Sequence, residues 1–250
     1  MKLSLLDQLR APGAIRVEFQ PIMTVNSHGP QLYAYEALAR GPKGTSMERP
    51  DVLFEYARRK SVEAEIDLIC IAEVLTAAEL LPGKPSISIN LHGSTMTNVE
   101  QFAETFLALA KAHDIAPERL MLEIVEHRAP WSMDILRTTL DELRAAGIRI
   151  ALDDLGVAAS NYRMIVDCRP DHLKIDRYIV SGCSTDPYRL AVLRSIVTLA
   201  QSCAAIPIAE GVEEQHELET ILSLGIDKVQ GWLFGQSKPA SAINLERIPS

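Results

Sequence analysis

The sequence predicts an α/β fold, a (β/α)8 TIM-like barrel with an antiparallel first strand, on three observations. Short apolar runs rich in β-formers alternate with amphipathic helical stretches along nearly all 250 residues, the pattern of parallel strands joined by helical crossovers. Eight such strands fit a length that α/β barrels routinely use for one domain. No G-x-G-x-x-G opens a helix after the first strand, which weakens the competing doubly wound dinucleotide-binding sheet.

Taken in order, residues 1–14 read as an N-terminal arm broken by Ala11-Pro12-Gly13, and 15–250 as a single barrel domain. Arg16 to Ile22 alternates as a strand that should stop at Pro21. Asn26-Ser27-His28-Gly29-Pro30 is a turn, and Gln31 to Leu38 returns as the next strand, so these two should pair antiparallel. Glu36 falls on the same face as Leu32, Ala34 and Leu38, and a carboxylate there needs a partner or a cation. Helical spacing follows Pro50 and runs from Val62 to Leu81. In Ser86 to Leu91, Ile87, Ile89 and Leu91 face covering helices while Ser88 and Asn90 point inward. A helix spans 98–113, a strand Leu120 to Glu126, and a helix 132–146. Ile148 to Leu152 is a buried strand after a helix stop at Gly147. In it Arg149, Ala151 and Asp153 share a face and Asp154 begins the turn. A helix near 160–167, the strand His172 to Asp176, a helix 188–203, the strand Ala204 to Glu210, a helix 213–224 and the strand Asp227 to Gly231 complete the chain.

Composition narrows the function. Hydrophobic residues make up 47% and aromatics 5%, so the core is built from Leu, Ile, Val and Ala. A net charge of −8 argues against DNA or anionic-membrane binding. No membrane segment or signal peptide is visible. Cys70, Cys168, Cys183 and Cys203 lack a C-x-x-C and read as reduced thiols, so a cytoplasmic protein is expected. The histidines show no H-x-H or H-E-x-x-H, which argues against zinc.

Strand ends carry the chemistry of such barrels. In order they are Glu36, Asn90, Glu123, Asp153, Lys174, Glu210 and Gln230. Each alone has an ordinary reading: Asn90 caps a turn, Lys174 snorkels, Glu210 opens a helix, and Asp153-Asp154 forms a solvated turn. Together they form an all-oxygen set suited to a hard divalent cation, Mg2+ or Mn2+. Several carboxylates around a shared Asp can hold two ions, the arrangement that cleaves phosphodiesters, with Lys174 balancing phosphoryl charge. The reaction class read from the residues is metal-dependent phosphate-ester hydrolysis.

The same residues form a known pattern. Glu36-Ala37-Leu38-Ala39-Arg40 is an E-A-L-x-R, preceded by Gln20-Pro21-Ile22. Leu122-Glu123-Ile124-Val125-Glu126 resembles L-E-I-T-E, Asp153-Asp154 the pair of D-D-F-G, and Lys174-Ile175-Asp176 the K-I-D. Ala209-Glu210-Gly211-Val212-Glu213 and Val229-Gln230-Gly231 match A-E-G-V-E and V-Q-G. From about residue 15 to 240 the chain resembles the EAL-domain cyclic di-GMP phosphodiesterases. That resemblance implies hydrolysis of cyclic di-GMP to linear pGpG with two Mg2+ or Mn2+ ions per site. It implies a first metal on Glu36, Asn90, Glu123 and Asp153, and a second on Asp153, Asp154 and Glu210. It makes Glu36, Lys174 and Glu210 catalytic, Lys174 orienting the water and Glu210 the candidate base. Substrate contacts fall to Gln20, Leu38, Arg40, Asp176 and Gln230, and a homodimer is implied. Glu126 is retained as the anchor of the loop after Asp154. That loop departs from the pattern, with Ala158 and Ala159 where the family has a Gly and an aromatic residue. The alternative is therefore a weak or inactive domain serving as a cyclic di-GMP receptor or protein-interaction module.

Overall fold

The computed structural model describes residues 5–125, 132–157 and 161–244. Strands β1 (Arg16–Asn26), β2 (Gly29–Arg40), β3 (Ile87–His92), β4 (Leu120–Val125), β5 (Arg149–Leu155), β6 (His172–Ile175), β7 (Ile206–Ala209) and β8 (Lys228–Gln230) close in sequence order into a barrel. β1 runs antiparallel to both neighbours, β2 and β8, and all other pairs are parallel. The hairpin forces this orientation: the Asn26 side-chain oxygen accepts from the His28 N–H at 2.8 Å, and Gly29 takes φ +92°, a value that suits glycine.

Helices lie outside the barrel: α1 (Leu5–Leu9), α2 (Pro50–Arg59), α3 (Glu63–Ala78), α4 (Gly93–Asn98), α5 (Phe102–Ala112), α6 (Met133–Ala145), α7 (Asn161–Cys168), α8 (Arg177–Val180), α9 (Pro187–Ser202) and α10 (Gln215–Ser223). Alternation along each strand divides the core. Ile87, Ile89, Leu122, Ile150 and Leu152 pack outward against helical residues such as Phe102, Phe106 and Leu140. Inward-facing Ile22, Ala34, Met121, Ala151 and Ile208 form a separate apolar plug. α1 is tied down by Leu9, which joins Ile15, Met47, Leu53, Ala57, Ile66 and Cys70 in a satellite cluster.

Three expectations are corrected. β1 does not stop at Pro21 but continues to Asn26. Tyr35, opposite Pro21, donates its N–H to Ser86 on the far side, so Pro21 sits at a position where the β1–β2 ladder needs no N–H from it. β5 does not end at Leu152 but runs to Leu155, with Asp154 at φ +54° at a break in the β5–β6 register; the turn does open at Asp154, whose carbonyl accepts from the Val157 N–H at 3.3 Å. The helix expected over 98–113 is α5, which begins only at Phe102 after Gln101 at φ +53°, and an unexpected short helix, α4, precedes it. Gly93, Ser94 and Thr95 are poor helix formers. α4 forms there because the buried Asp67 of α3 accepts from the His92 N–H at 3.1 Å and from Thr95 Oγ1 at 2.5 Å.

Candidate active site

Strand parity brings Glu36, Asn90, Glu123, Asp153, Lys174, Glu210 and Gln230 together at the C-terminal end of the barrel, above the apolar plug. Lys174 is the centre. Its side chain is 1% exposed, and its Nζ lies 2.5 Å from Glu123 Oε2, 2.6 Å from Glu210 Oε1, 3.3 Å from Asp153 Oδ1 and 3.6 Å from Glu36 Oε1. Glu36 is held from both sides: Asn90 Nδ2 donates to Oε1 at 2.9 Å and Gln230 Nε2 to Oε2 at 2.5 Å. Gln230 Nε2 also reaches Gln20 Oε1 at 3.2 Å.

The electrostatics are those of an overloaded acidic cup. Five carboxylates, Glu36, Glu123, Asp153, Asp154 and Glu210, face one ammonium. Burial would drive Lys174 toward neutrality, but Asp153, Glu123, Glu210 and Glu36 hold its pKa well above the usual value. Burial pushes Glu123 up to about 8, helped by Glu36. Burial likewise lifts Glu210 well above the carboxylate range, against the pull of Lys174. For Glu36 burial acts upward, yet Lys174 and the hydrogen bonds from Asn90 and Gln230 bring it below its ordinary value. Asp154 is raised to about 6 by burial, then by Asp153 and Asp176.

The donor set fits a divalent cation. Glu123 Oε1 and Gln230 Oε1 are buried without a hydrogen-bond partner, and Asp153 Oδ1 has only the 3.3 Å ion contact to Lys174, an arrangement that costs free energy unless a cation or donor meets the free oxygens. Asp153, Asp154 and Glu210 each place an oxygen within 4.8 Å of the others. The left-handed backbone at Asp154 is what lets two consecutive acids turn toward one point, since adjacent residues of a regular strand face opposite ways.

The residues assigned to the substrate surround this cup. Gln20 Nε2 donates to Gly235 O at 3.2 Å. Leu38 lines a cavity of about 510 Å³ that also touches Glu36, Asn90 and Asp153, with Phe54 and His92 on its far wall. Asp176 caps α8 by accepting from the Tyr178 N–H at 2.6 Å and hydrogen-bonds Asp154. Arg40 Nε donates to Glu18 Oε2 at 3.1 Å, and its NH2 donates to Ser237 Oγ at 3.2 Å. Sequence reasoning missed Glu18 and Ser237. Glu18 shares strand parity with Gln20 and was legible on that ground; Ser237 sits past the last strand with no local signal. Glu126 and the altered positions Ala158 and Ala159 lie outside the described residues.

Together these features define a TIM-type barrel whose mouth holds an acidic cluster around one buried lysine. Residues 4–237 match the EAL domain model, and the chain belongs to the EAL domain family. It is 28% identical to the probable cyclic di-GMP phosphodiesterase PdeA of Escherichia coli K12, over 94% of this chain and 31% of that protein. It is 27% identical to the blue light- and temperature-regulated antirepressor BluF of the same organism, over 93% of this chain and 55% of BluF. BlrP1 of Klebsiella pneumoniae, solved as a manganese/cy-diGMP complex, superposes with TM-score 0.79 at 26% identity, covering 91% of this chain and 57% of that one. The chain spans less than a third of the first two curated relatives it matches, 29% and 31% of their lengths. No helix among the described residues is long and apolar enough to cross a membrane.

Proposed function

We propose that this chain is a metal-dependent phosphodiesterase that hydrolyses cyclic di-GMP to linear pGpG. The observation that carries the reading is the buried Lys174 among four contacting carboxylates, with Asp154 beside them and an orphaned oxygen on Glu123. The names of PdeA and of the BlrP1 complex support it. Glu36, Asn90, Glu123 and Asp153 would hold one Mg2+ or Mn2+ ion and Asp153, Asp154 and Glu210 a second; bound there, the ions supply water acidification and charge neutralisation.

The chain's own groups do the remaining work. Lys174, fixed between Glu123 and Glu210, orients the attacking water and balances charge on the phosphoryl oxygens. Glu210, whose carboxylate burial makes more basic than usual, accepts the water proton. The water oxygen bonds to phosphorus, the bond from phosphorus to the 3′ oxygen breaks, and that oxygen leaves taking a proton from solvent, giving a 3′-hydroxyl and a 5′-phosphate. Arg40, aimed by Glu18 and Ser237, offers a planar fork to a phosphate. Gln20, Leu38, Asp176 and Gln230 contact the rest of the dinucleotide. Tyr162 and Val166 of α7, Tyr178 of α8 and Val157 are each exposed, and these apolar side chains are the proposed homodimer contact. Free cysteines and a nucleotide substrate support a cytoplasmic setting.

A second reading, a cyclic di-GMP receptor without turnover, is favoured by Ala158 and Ala159 in the loop and by the relative named an antirepressor. One experiment separates them: incubation with cyclic di-GMP and Mn2+, resolving products by chromatography, with Glu36→Ala as control. pGpG from the parent alone supports the enzyme. Bound but intact dinucleotide supports the receptor.

A further inference from the structure

The outer face between α5 and α6 carries a groove of about 1090 Å³ far from the acidic cup in character, though both helices start at the same end of the barrel. It exists because α4 is inserted between β3 and α5 and packs against both α5 and α6. Its floor is apolar, with Leu107 half-buried and Ile135 left 49% exposed. Its rim is acidic: Glu100 and Glu104 on one side, Asp134 and Glu142 on the other, with Lys111 the one basic residue lining it among the described residues.

Charge on α6 is segregated in a way that helix stability does not require. Arg137 is turned toward α7, where it meets Asp167 at 2.5 Å, and Arg144 is turned to the carbonyls of Cys168 and Arg169. The side of α6 that faces α5 is thereby left with carboxylates alone. Several other surface acids are paired, as Glu55 is with Arg58 and Arg59, Glu48 with Arg16 and Glu65 with Arg10, whereas here four unpaired acids gather around one trough. The four carboxylates of the groove form no such ion pair among the described residues. α5 has 11 residues and α6 has 13, so the trough between them is about 16–20 Å long at 1.5 Å per residue, about three turns of a helix.

We propose that this groove is a docking site for a basic amphipathic helix of a partner protein, its apolar stripe on Leu107 and Ile135 and its Lys or Arg flanks on the four carboxylates. An apolar trough between two helices with unpaired charge of one sign on both rims matches helix-in-groove recognition, and complementary charge fixes the orientation and speeds encounter. A second copy of this chain is a poorer fit, because the exposed arginine of its apolar helix α7, Arg163, is already engaged by Asp167 at 3.3 Å.

The test uses the whole chain and a fluorescent synthetic peptide of about 18 residues, with Leu on one helical face and Lys on the other. Saturable binding in the micromolar range is expected, weakening with salt. Glu104→Lys and Ile135→Asp, both at exposed positions, should each weaken it by about tenfold or more, while Glu219→Lys on α10, the same change of charge, should alter it by less than about twofold. A peptide with Glu in place of Lys should not bind. Equal losses for Glu104→Lys and Glu219→Lys, or no effect of Ile135→Asp, would reduce the result to bulk charge and overturn the proposal. So would absence of saturable binding, or a dimer by light scattering that Ile135→Asp dissolves, which would make the occupant a second copy.

Discussion

Lys174 holds together the carboxylates that surround it. Its ammonium offsets carboxylates that burial would otherwise protonate, so its removal leaves like charges facing each other. Lys174→Met should cost the metal-free protein about 3–5 kcal/mol, the loss typical of one partner of a buried ion pair, read from the denaturant midpoint. Mn2+ should restore part of that stability but not turnover. The pH dependence follows from Asp154, raised to about 6, and Glu123, raised to about 8. Both are easier to protonate in the folded chain than in the unfolded one. The stability they confer is therefore complete below the ordinary carboxylate range and is lost as pH rises through those two values. The melting temperature of metal-stripped protein should fall from about pH 5 to about pH 8, and Mn2+ should flatten that fall. A flat profile without metal would contradict the raised values.

At the scale of elements, close backbone approach matters most at the end of β8. A Cβ on Gly231 would lie 2.0 Å from Val212 O and 2.3 Å from Val212 N, backbone atoms that cannot step aside. Gly231→Ala should therefore displace Gln230, which holds Glu36. We expect a loss of about 1–3 kcal/mol from overpacking together with a fall in turnover larger than that of an exposed glycine such as Gly225→Ala. The elements differed in how far sequence disclosed them. β3, β4 and β6 were legible because alternation puts Asn90, Glu123 and Lys174 on one face and aliphatics on the other. α4 was not, because Gly93-Ser94-Thr95 has no helical signal and depends on Asp67, far away in sequence. The continuation of β5 through Asp154 was hidden for a related reason: a left-handed residue inside a strand is imposed by neighbouring strands, while two aspartates before a Gly locally spell a turn. The site residues themselves were legible because each sits at the end of an element whose period was clear. The holders of Arg40 were less so, since Ser237 comes from the far end of the chain.

For the whole molecule, polarity is layered along the barrel axis. The acidic cup sits above the plug of Ile22, Ala34, Met121, Ala151 and Ile208. At the other end Tyr33 meets His172 Nε2 at 2.6 Å and receives Arg149 NH1 at 3.2 Å, where burial and Arg149 lower His172 to about 4. The plug separates the charged cup from the polar floor with buried apolar side chains. Metal binding at the cup should be visible globally: with Mn2+ at about 100 times its dissociation constant, unfolding should become harder by about 2.7 kcal/mol, and Glu123→Gln should abolish much of that gain in thermal titrations.

The ring is also closed by its ends. β1 pairs with β8, and Phe19 exchanges two backbone hydrogen bonds with Lys238, at 2.7 and 3.0 Å. Every acid of the cup and its lysine lies between residues 36 and 210. A nascent chain halted before residue 228 would thus already carry the full set of charged groups, but with β1 lacking its β8 partner and no Gln230 to hold Glu36. Assembly of the cup therefore waits on β8, and a chain truncated before residue 228 would keep every acid of the cup without the hold on Glu36.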